Sequence, residues 1–156
     1  MSRIEVRDIF RRAAVGVVRD ALMVGGVVAG AAALAGRTVA GMPLGCWAIG
    51  VTIALITITV AAMMPGMMLP SGGVSSTRAS LLMVGGTAAM AVRSVGAVAL
   101  VVGCRYKIAA AAPQGLSEND SGGLVYLMIG LGYAATTFDE VWRLAAAGRK
   151  LDVTTG

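Results

Sequence analysis

The spacing of the charged residues constrains this chain most, because four long stretches carry almost no charge. These stretches cover residues 21–36, 42–64, 79–104 and 122–138, and within them only Arg93 is charged. A helix needs about 20 apolar residues to cross a hydrocarbon core of about 30 Å. The first stretch reaches that length with residues 15–18, and the fourth reaches it near Trp142. We predict an all-α integral membrane protein with four transmembrane helices, at about 15–36, 42–64, 79–104 and 122–142.

Composition supports a membrane protein and excludes several soluble classes. Of 156 residues, 57% are hydrophobic and 13% are charged, and the mean hydropathy is +0.81. The net charge is +5, but a nucleic-acid binder needs its basic residues on a solvated face, so no nucleic-acid partner is expected. The chain has no histidine and only two cysteines. This composition excludes a disulfide framework, the usual zinc sites and a histidine that acts as a general base. We expect no enzyme activity, no cofactor and no catalytic metal.

Residues 1–20 have the pattern of a basic amphipathic helix. The apolar positions recur at helical spacing and are Ile9, Phe10, Ala13, Ala14 and Val17. The basic positions are Arg3, Arg7, Arg11 and Arg12. This pattern predicts a separate interfacial helix on anionic lipid headgroups. A cleaved signal peptide is the alternative, because an apolar run follows and contains Ala33-Leu34-Ala35.

Prolines and basic residues suggest the helix limits and the orientation. Pro43 is placed for a helix start, and the Pro65-Gly66 pair predicts the end of the second helix. Nine of the thirteen Lys and Arg residues fall on the side of the termini and three on the other side. The positive-inside rule therefore predicts cytoplasmic termini, with residues 145–156 as a cytoplasmic tail. The expected location is the inner (cytoplasmic) membrane, as a multi-pass protein.

Arg93 is the strongest candidate for a functional side chain. A charge near the middle of a span costs at least about 2.5 kcal/mol. Helical side chains point toward the helix N-terminus, so Arg93 is predicted to form an intramembrane polar site with Asp139 or Glu140. The alternative is an arginine that only fixes helix packing.

Small residues at a spacing of four form two candidate packing motifs, Gly26-x-x-x-Gly30 and Gly85-x-x-x-Ala89. Such motifs let helix backbones approach closely in a membrane. They predict either packing inside the chain or contact with another subunit, including a second copy of the chain.

Sulfur-containing residues suggest two weaker possibilities. A methionine cluster of the kind that binds Cu(I) comprises Met63, Met64, Met67 and Met68. The alternative is packing by flexible side chains. Cys46 and Cys104 lie near the same predicted membrane surface, so they are either bridged, metal-bound or inert.

The basic N-terminus, the hairpin of glycine-rich helices and the third helix with Gly85-Gly86 and Arg93 together resemble the ATP synthase protein I family. The resemblance covers roughly residues 21–144. It implies a non-catalytic accessory of the F-type ATP synthase that helps the ring of c subunits to assemble, and some relatives are proposed to move magnesium or calcium. Only Arg93 has a counterpart in the family pattern, and the second helix lacks the family's polar position.

These observations predict an accessory or assembly factor of a membrane complex, with the ATP synthase c subunits as the suspected partner and a c-subunit carboxylate as the target of Arg93. Two alternatives remain. One is a small transporter or channel for an ion or small solute, and the other is a permanent small subunit of a respiratory or photosynthetic complex.

Overall fold

The computed structural model describes residues 6–68, 77–111 and 122–153, and four helices account for most of them. The elements are α1 Val6–Leu34, β1 Thr38–Val39, β2 Met42–Pro43, α2 Leu44–Met67, α3 Thr77–Ala111 and α4 Gly122–Val153. By length and composition, three segments of the described chain could cross a membrane: α1, α2 and the Val84–Ala111 part of α3. The helical fold class and a membrane protein are thus supported, although α4 does not meet the same criterion.

Consecutive helices run antiparallel, so α2 and α4 run parallel. Phe10 at the start of α1 lies against Gly66 at the end of α2 and also contacts Gly85 near the start of α3. Leu55 of α2 lies against Gly132 of α4. We call the end that carries the β1–β2 connection the hairpin end, and the end where α1 begins and α2 ends the terminal end.

Each end has its own apolar cluster. At the hairpin end the buried members are Ala32, Val39, Leu44, Val51, Leu55, Cys104, Val125 and Ile129. At the terminal end they are Val6, Phe10, Ala13, Ala14, Val17 and Met63. All four helices contribute to the first cluster, whereas α1 supplies all but one member of the second.

The N-terminal basic segment is not a separate interfacial helix, which corrects the boundary predicted at residue 20. From Val6 onward it is continuous with the first apolar stretch as one helix of 29 residues. No proline interrupts this stretch, and the predicted apolar face is buried at all five of its positions. That face packs against Met63 of α2. Packing within the chain, rather than a lipid surface, covers it.

The Pro65-Gly66 pair does not end α2, contrary to the sequence prediction. The helix continues to Met67, and the Met68 N–H closes its last turn on the Met64 carbonyl at 3.1 Å. Pro65 cannot donate to the carbonyl four residues earlier, but only two residues of the helix follow it, so the loss falls in the last turn. A Cβ at Gly66 would lie 2.6 Å from the Phe10 ring, so the helical backbone here is fixed by close packing of that ring.

The last two helices are longer than predicted. α3 extends seven residues beyond 104, to Ala111, and α4 extends from 142 to Val153, so most of the predicted tail at 145–156 is helical. Alanine and leucine at residues 144–147 are strong helix formers. The Arg149 guanidinium also lies over the Trp142 ring, at 5.7 Å from its centroid. The helix propensity of these residues therefore extends both helices beyond their apolar stretches.

A tight hairpin joins α1 to α2. Thr38 pairs with Pro43 and Val39 with Met42 around a two-residue loop. Ala40 and Gly41 both have positive φ, at 50° and 73°, as the usual two-residue hairpin turn requires. Trp47 Nε1 donates a hydrogen bond of 3.1 Å to the Val39 carbonyl and ties the hairpin to α2.

Candidate functional site

The centre of the candidate site is an ion pair between α3 and α4. Arg93 is 1% exposed and donates through Nη1 to Glu140 Oε2, and Glu140 is also 1% exposed. Arg93 Nη2 donates to the Thr136 hydroxyl and, at 3.3 Å, to the Tyr133 carbonyl. The structure therefore places Arg93 against Glu140, one of the two predicted partners. Replacing either member would leave an unpaired buried charge.

Tyr133 and Thr136 surround the guanidinium, and neither was identified from the sequence. The Arg93 Cζ atom lies 5.3 Å from the centroid of the Tyr133 ring, within the range of a cation–π interaction. The Tyr133 hydroxyl is 3.0 Å from Ser94 Oγ. The Thr136 hydroxyl donates to the Gly132 carbonyl at 2.8 Å, so its lone pairs face Arg93. These contacts fix both the position and the tilt of the guanidinium.

A second set of charges joins α1 to α4. Arg143 Nε donates to Asp139 Oδ2 at 2.7 Å, and Arg143 Nη2 also pairs with Asp20. Arg19 Nε donates to Asp20 Oδ1 at 2.9 Å. Asp139 is thus not a partner of Arg93, because neighbouring residues on a helix point about 100° apart. Asp20 and Arg143 are 123 positions apart, and no sequence spacing identified this pair.

Together these six residues form what we call the charged layer, with three positive and three negative side chains: Arg19, Asp20, Arg93, Asp139, Glu140 and Arg143. The pairs differ in burial. The side chains of the Arg93–Glu140 pair are 1% and 2% exposed, whereas those of Asp20, Asp139 and Arg143 are 25–30% exposed. The layer is internally neutral and offers no spare charge to a ligand.

An apolar cavity of about 780 Å³ lies between α1, α2 and α4. Its polar lining residues are Asp20, Thr52, Thr136 and Asp139, and the other lining residues are apolar or glycine. Arg93 and Glu140 do not line it. The cavity reaches the ion pair only through Thr136, which accepts a hydrogen bond from Arg93.

The two small-residue motifs have different surroundings. Ala89 is 0% exposed, and a Cβ at Gly85 would lie 3.2 Å from the Phe10 ring, so this motif packs inside the chain. A Cβ at Gly26 or Gly30 would meet nothing within 4 Å, and both positions are exposed. The first motif does not pack against the described helices.

Instead, other glycines that the sequence did not single out make the close contacts. A Cβ at Gly16 would meet the Arg143 guanidinium at 2.5 Å, and a Cβ at Gly25 would overlap the Thr52 side chain. Spacing alone could not select these positions, because the chain contains 22 glycines.

Sulfur and basic side chains are dispersed. Met63 is fully buried beside Phe10, whereas Met64 and Met68 are exposed, so the four methionines share no common face. Cys46 is exposed and Cys104 is buried, and both are free thiols. Within the described ranges no group of three or more His, Cys, Asp or Glu is placed to hold a metal.

Arg7, Arg11 and Arg12 are exposed on α1, and Arg3 lies outside the described residues.

Comparison of the chain with protein-family models, with curated proteins and with solved structures finds no match.

Proposed function

We propose that this chain is a non-catalytic accessory protein of a membrane complex, and that it docks a transmembrane helix of its partner on the outward face of α1. The observation that carries the proposal is the open pair Gly26 and Gly30. Glycine inside a helix costs about 0.5–1 kcal/mol relative to alanine. In the described part of the chain no contact at Gly26 or Gly30 offsets this cost, because a Cβ at either position would meet nothing within 4 Å.

The physics of membrane helices explains why such a pair favours a partner. Lipid chains are as apolar as leucine, so helices associate through close packing and hydrogen bonds rather than through exclusion of water. A four-residue glycine spacing lets a second backbone approach closely. Gly16 and Gly25 on the same helix already serve packing partners within the chain, which leaves Gly26 and Gly30 for contacts outside it.

The charged layer does not take part in docking. Arg93 is 1% exposed and is paired with Glu140, so it does not present its guanidinium to a carboxylate of another subunit. We therefore propose glycine packing in place of the expected contact between Arg93 and a c-subunit carboxylate. The F-type ATP synthase is still the candidate complex that we propose, on the strength of the sequence resemblance, with glycine packing as the mode of contact.

Orientation in the membrane belongs to the same proposal. The exposed side chains of Arg7, Arg11 and Arg12 lie at the terminal end. In the proposed topology this end is cytoplasmic and its basic side chains contact anionic lipid headgroups. The proposed location is the inner membrane.

The test is affinity purification from the native membrane in mild detergent. The variant Gly26→Leu/Gly30→Leu is compared with the wild type and with Gly123→Leu/Gly130→Leu, since Gly123 and Gly130 are also exposed and open, but on α4. We expect the wild type and the α4 control to retain the membrane subunits of one complex, and the α1 variant to lose them by at least tenfold. Equal recovery from all three proteins would contradict docking through α1.

The identity and amount of the retained subunits separate the remaining possibilities. ATP synthase membrane subunits would support the family proposal, and another complex would replace it. Stoichiometric recovery after stringent washing would indicate a permanent subunit. Recovery of the chain alone from the wild type would contradict the docking proposal.

A small transporter is the second candidate, favoured by one observation. Ionisable residues buried among membrane helices often mark transport pathways, and Arg93 and Glu140 are such a pair. Purified protein in liposomes would then show solute-dependent flux that Glu140→Gln reduces, while the docking proposal expects none.

A further inference from the structure

The Arg93–Glu140 ion pair leaves a polar atom unpartnered on each side. Arg93 Nε and Glu140 Oε1 are both buried and have no hydrogen-bond partner among the described residues. A third atom in the same condition is Thr59 Oγ1 of α2, and Thr59 is 1% exposed. Each of three helices thus contributes one such atom.

Helix register places Thr59 at the level of the ion pair. Leu55 of α2 contacts the Gly132 position of α4, and because these helices run parallel, one turn further along each brings Thr59 level with Thr136. Thr136 accepts a hydrogen bond from Arg93. Ile58, the neighbour of Thr59, contacts Gly96, which lies one turn beyond Arg93 on α3. Helix register therefore brings Thr59 within about one turn of the Arg93–Glu140 pair.

The Thr59 hydroxyl differs from the other helical hydroxyls of this region. A hydroxyl bond to the carbonyl four residues earlier is made by Thr52, Thr57, Ser94, Thr136 and Thr137. Thr59 makes no such bond although it is buried. Back-bonding is the usual way to satisfy a hydroxyl inside a helix. Because Thr59 makes no such bond, its hydroxyl can bind a small molecule held between the helices.

We infer that Thr59 Oγ1, Arg93 Nε and Glu140 Oε1 bind one buried water molecule. The three atoms supply an N–H donor, a carboxylate acceptor and a hydroxyl that can do either. Water matches this set, because it accepts from Arg93, donates to Glu140 and makes a third bond with Thr59, and buried waters typically make about three hydrogen bonds.

Charge excludes ions from the same position. A cation would lie against the Arg93 guanidinium, and an anion would lie against the Glu140 carboxylate, each at low dielectric. A neutral donor and acceptor meets neither repulsion. The water site is independent of the docking proposal, because it lies among α2, α3 and α4 and not on the outward face of α1.

The primary test is an experimental structure of the purified full chain at a resolution that shows ordered water. We expect density within hydrogen-bond distance of all three atoms in the wild type and in Thr57→Val, and no density in Thr59→Val. Thr57 is the matched control because it lies on the same helix, is exposed and is back-bonded to Ile53. Empty density in the wild type, or strong anomalous signal at this position after exposure to Rb⁺ or Br⁻, would overturn the inference.

Folding equilibria in detergent give a second, independent readout. If water is bound, Thr59→Val removes the hydrogen bond between the water and the Thr59 hydroxyl, and the folding equilibrium constant falls about fivefold. If the hydroxyl has no partner, valine removes an unsatisfied group and the constant stays the same or rises, which would contradict the inference. Thr59→Ser keeps the hydroxyl and is expected to keep the water, so it serves where Thr59→Val does not fold.

Discussion

The hairpin end and the middle of the bundle are held together by different interactions. At the hairpin end an apolar cluster and a two-residue turn join the helices, and all of its buried members are apolar or cysteine. Midway along α1 and α3 the charged layer links α4 to both of these helices. Apolar packing distinguishes poorly between a neighbouring helix and lipid, whereas a buried charge requires an opposite charge beside it. The charged layer therefore specifies which helices are neighbours, and the hairpin end is specified by chain connection and close packing.

Removal of the buried charge should give the largest effect and would test this division directly. Arg93→Leu leaves Glu140 buried without a partner, and we expect a loss of about 3–5 kcal/mol in the free energy of unfolding. Unfolding by SDS titration from a mild detergent measures it. The double variant Arg93→Leu/Glu140→Leu should recover most of the loss. If the double variant were as unstable as the single one, the pair would not act as a unit.

Overpacking the contact between Phe10 and Gly66 should give the next largest effect. A Cβ at Gly66 would lie 2.6 Å from the aromatic ring, so Gly66→Ala should cost about 1–3 kcal/mol of unfolding free energy. The control is Gly50→Ala in the same helix, where the added methyl meets open space and a gain of about 0.5–1 kcal/mol is expected. The same titration measures both. Equal effects would show that ring packing does not fix the terminal end.

Neutralising the exposed part of the charged layer should have a smaller effect. The Asp20 and Arg143 side chains are 30% and 28% exposed. Asp20→Asn should therefore destabilise the protein less than either of the variants above, and added salt should reduce the difference. Titrations at low and high ionic strength measure it. A loss as large as that of Arg93→Leu would mean that burial does not separate the two sets of pairs.

The smallest expected effect lies at the hairpin end. Ala40 has a φ of 50°, a conformation that costs a residue with a Cβ about 1–2 kcal/mol, while glycine pays about 0.5–1 kcal/mol in chain entropy. Ala40→Gly should therefore stabilise the protein by about 0.5 kcal/mol. Destabilisation in the titration would show that the turn contributes more through its side chain than through its backbone.

The amino-acid sequence predicted the helical class, the position of the apolar face at the start of α1 and an acidic partner for Arg93, because each depends on local periodicity or on a charge within an apolar run. It did not distinguish Glu140 from Asp139, since that choice depends on the rotation of α4. It also did not distinguish Gly25 from Gly26, which differ by about 100° around α1. The bond between Asp20 and Arg143 joins residues 123 positions apart and required the tertiary structure.

The continuity of α1 has a mechanical consequence. At 1.5 Å per residue its 29 residues make a rod of about 43 Å, longer than the hydrocarbon core. Phe10 packs against Gly66 and Gly85 near one end of this rod, and Gly25 packs against Thr52 further along it. The helix is therefore held at two separated points, so Gly26 and Gly30 are presented on a rigid support.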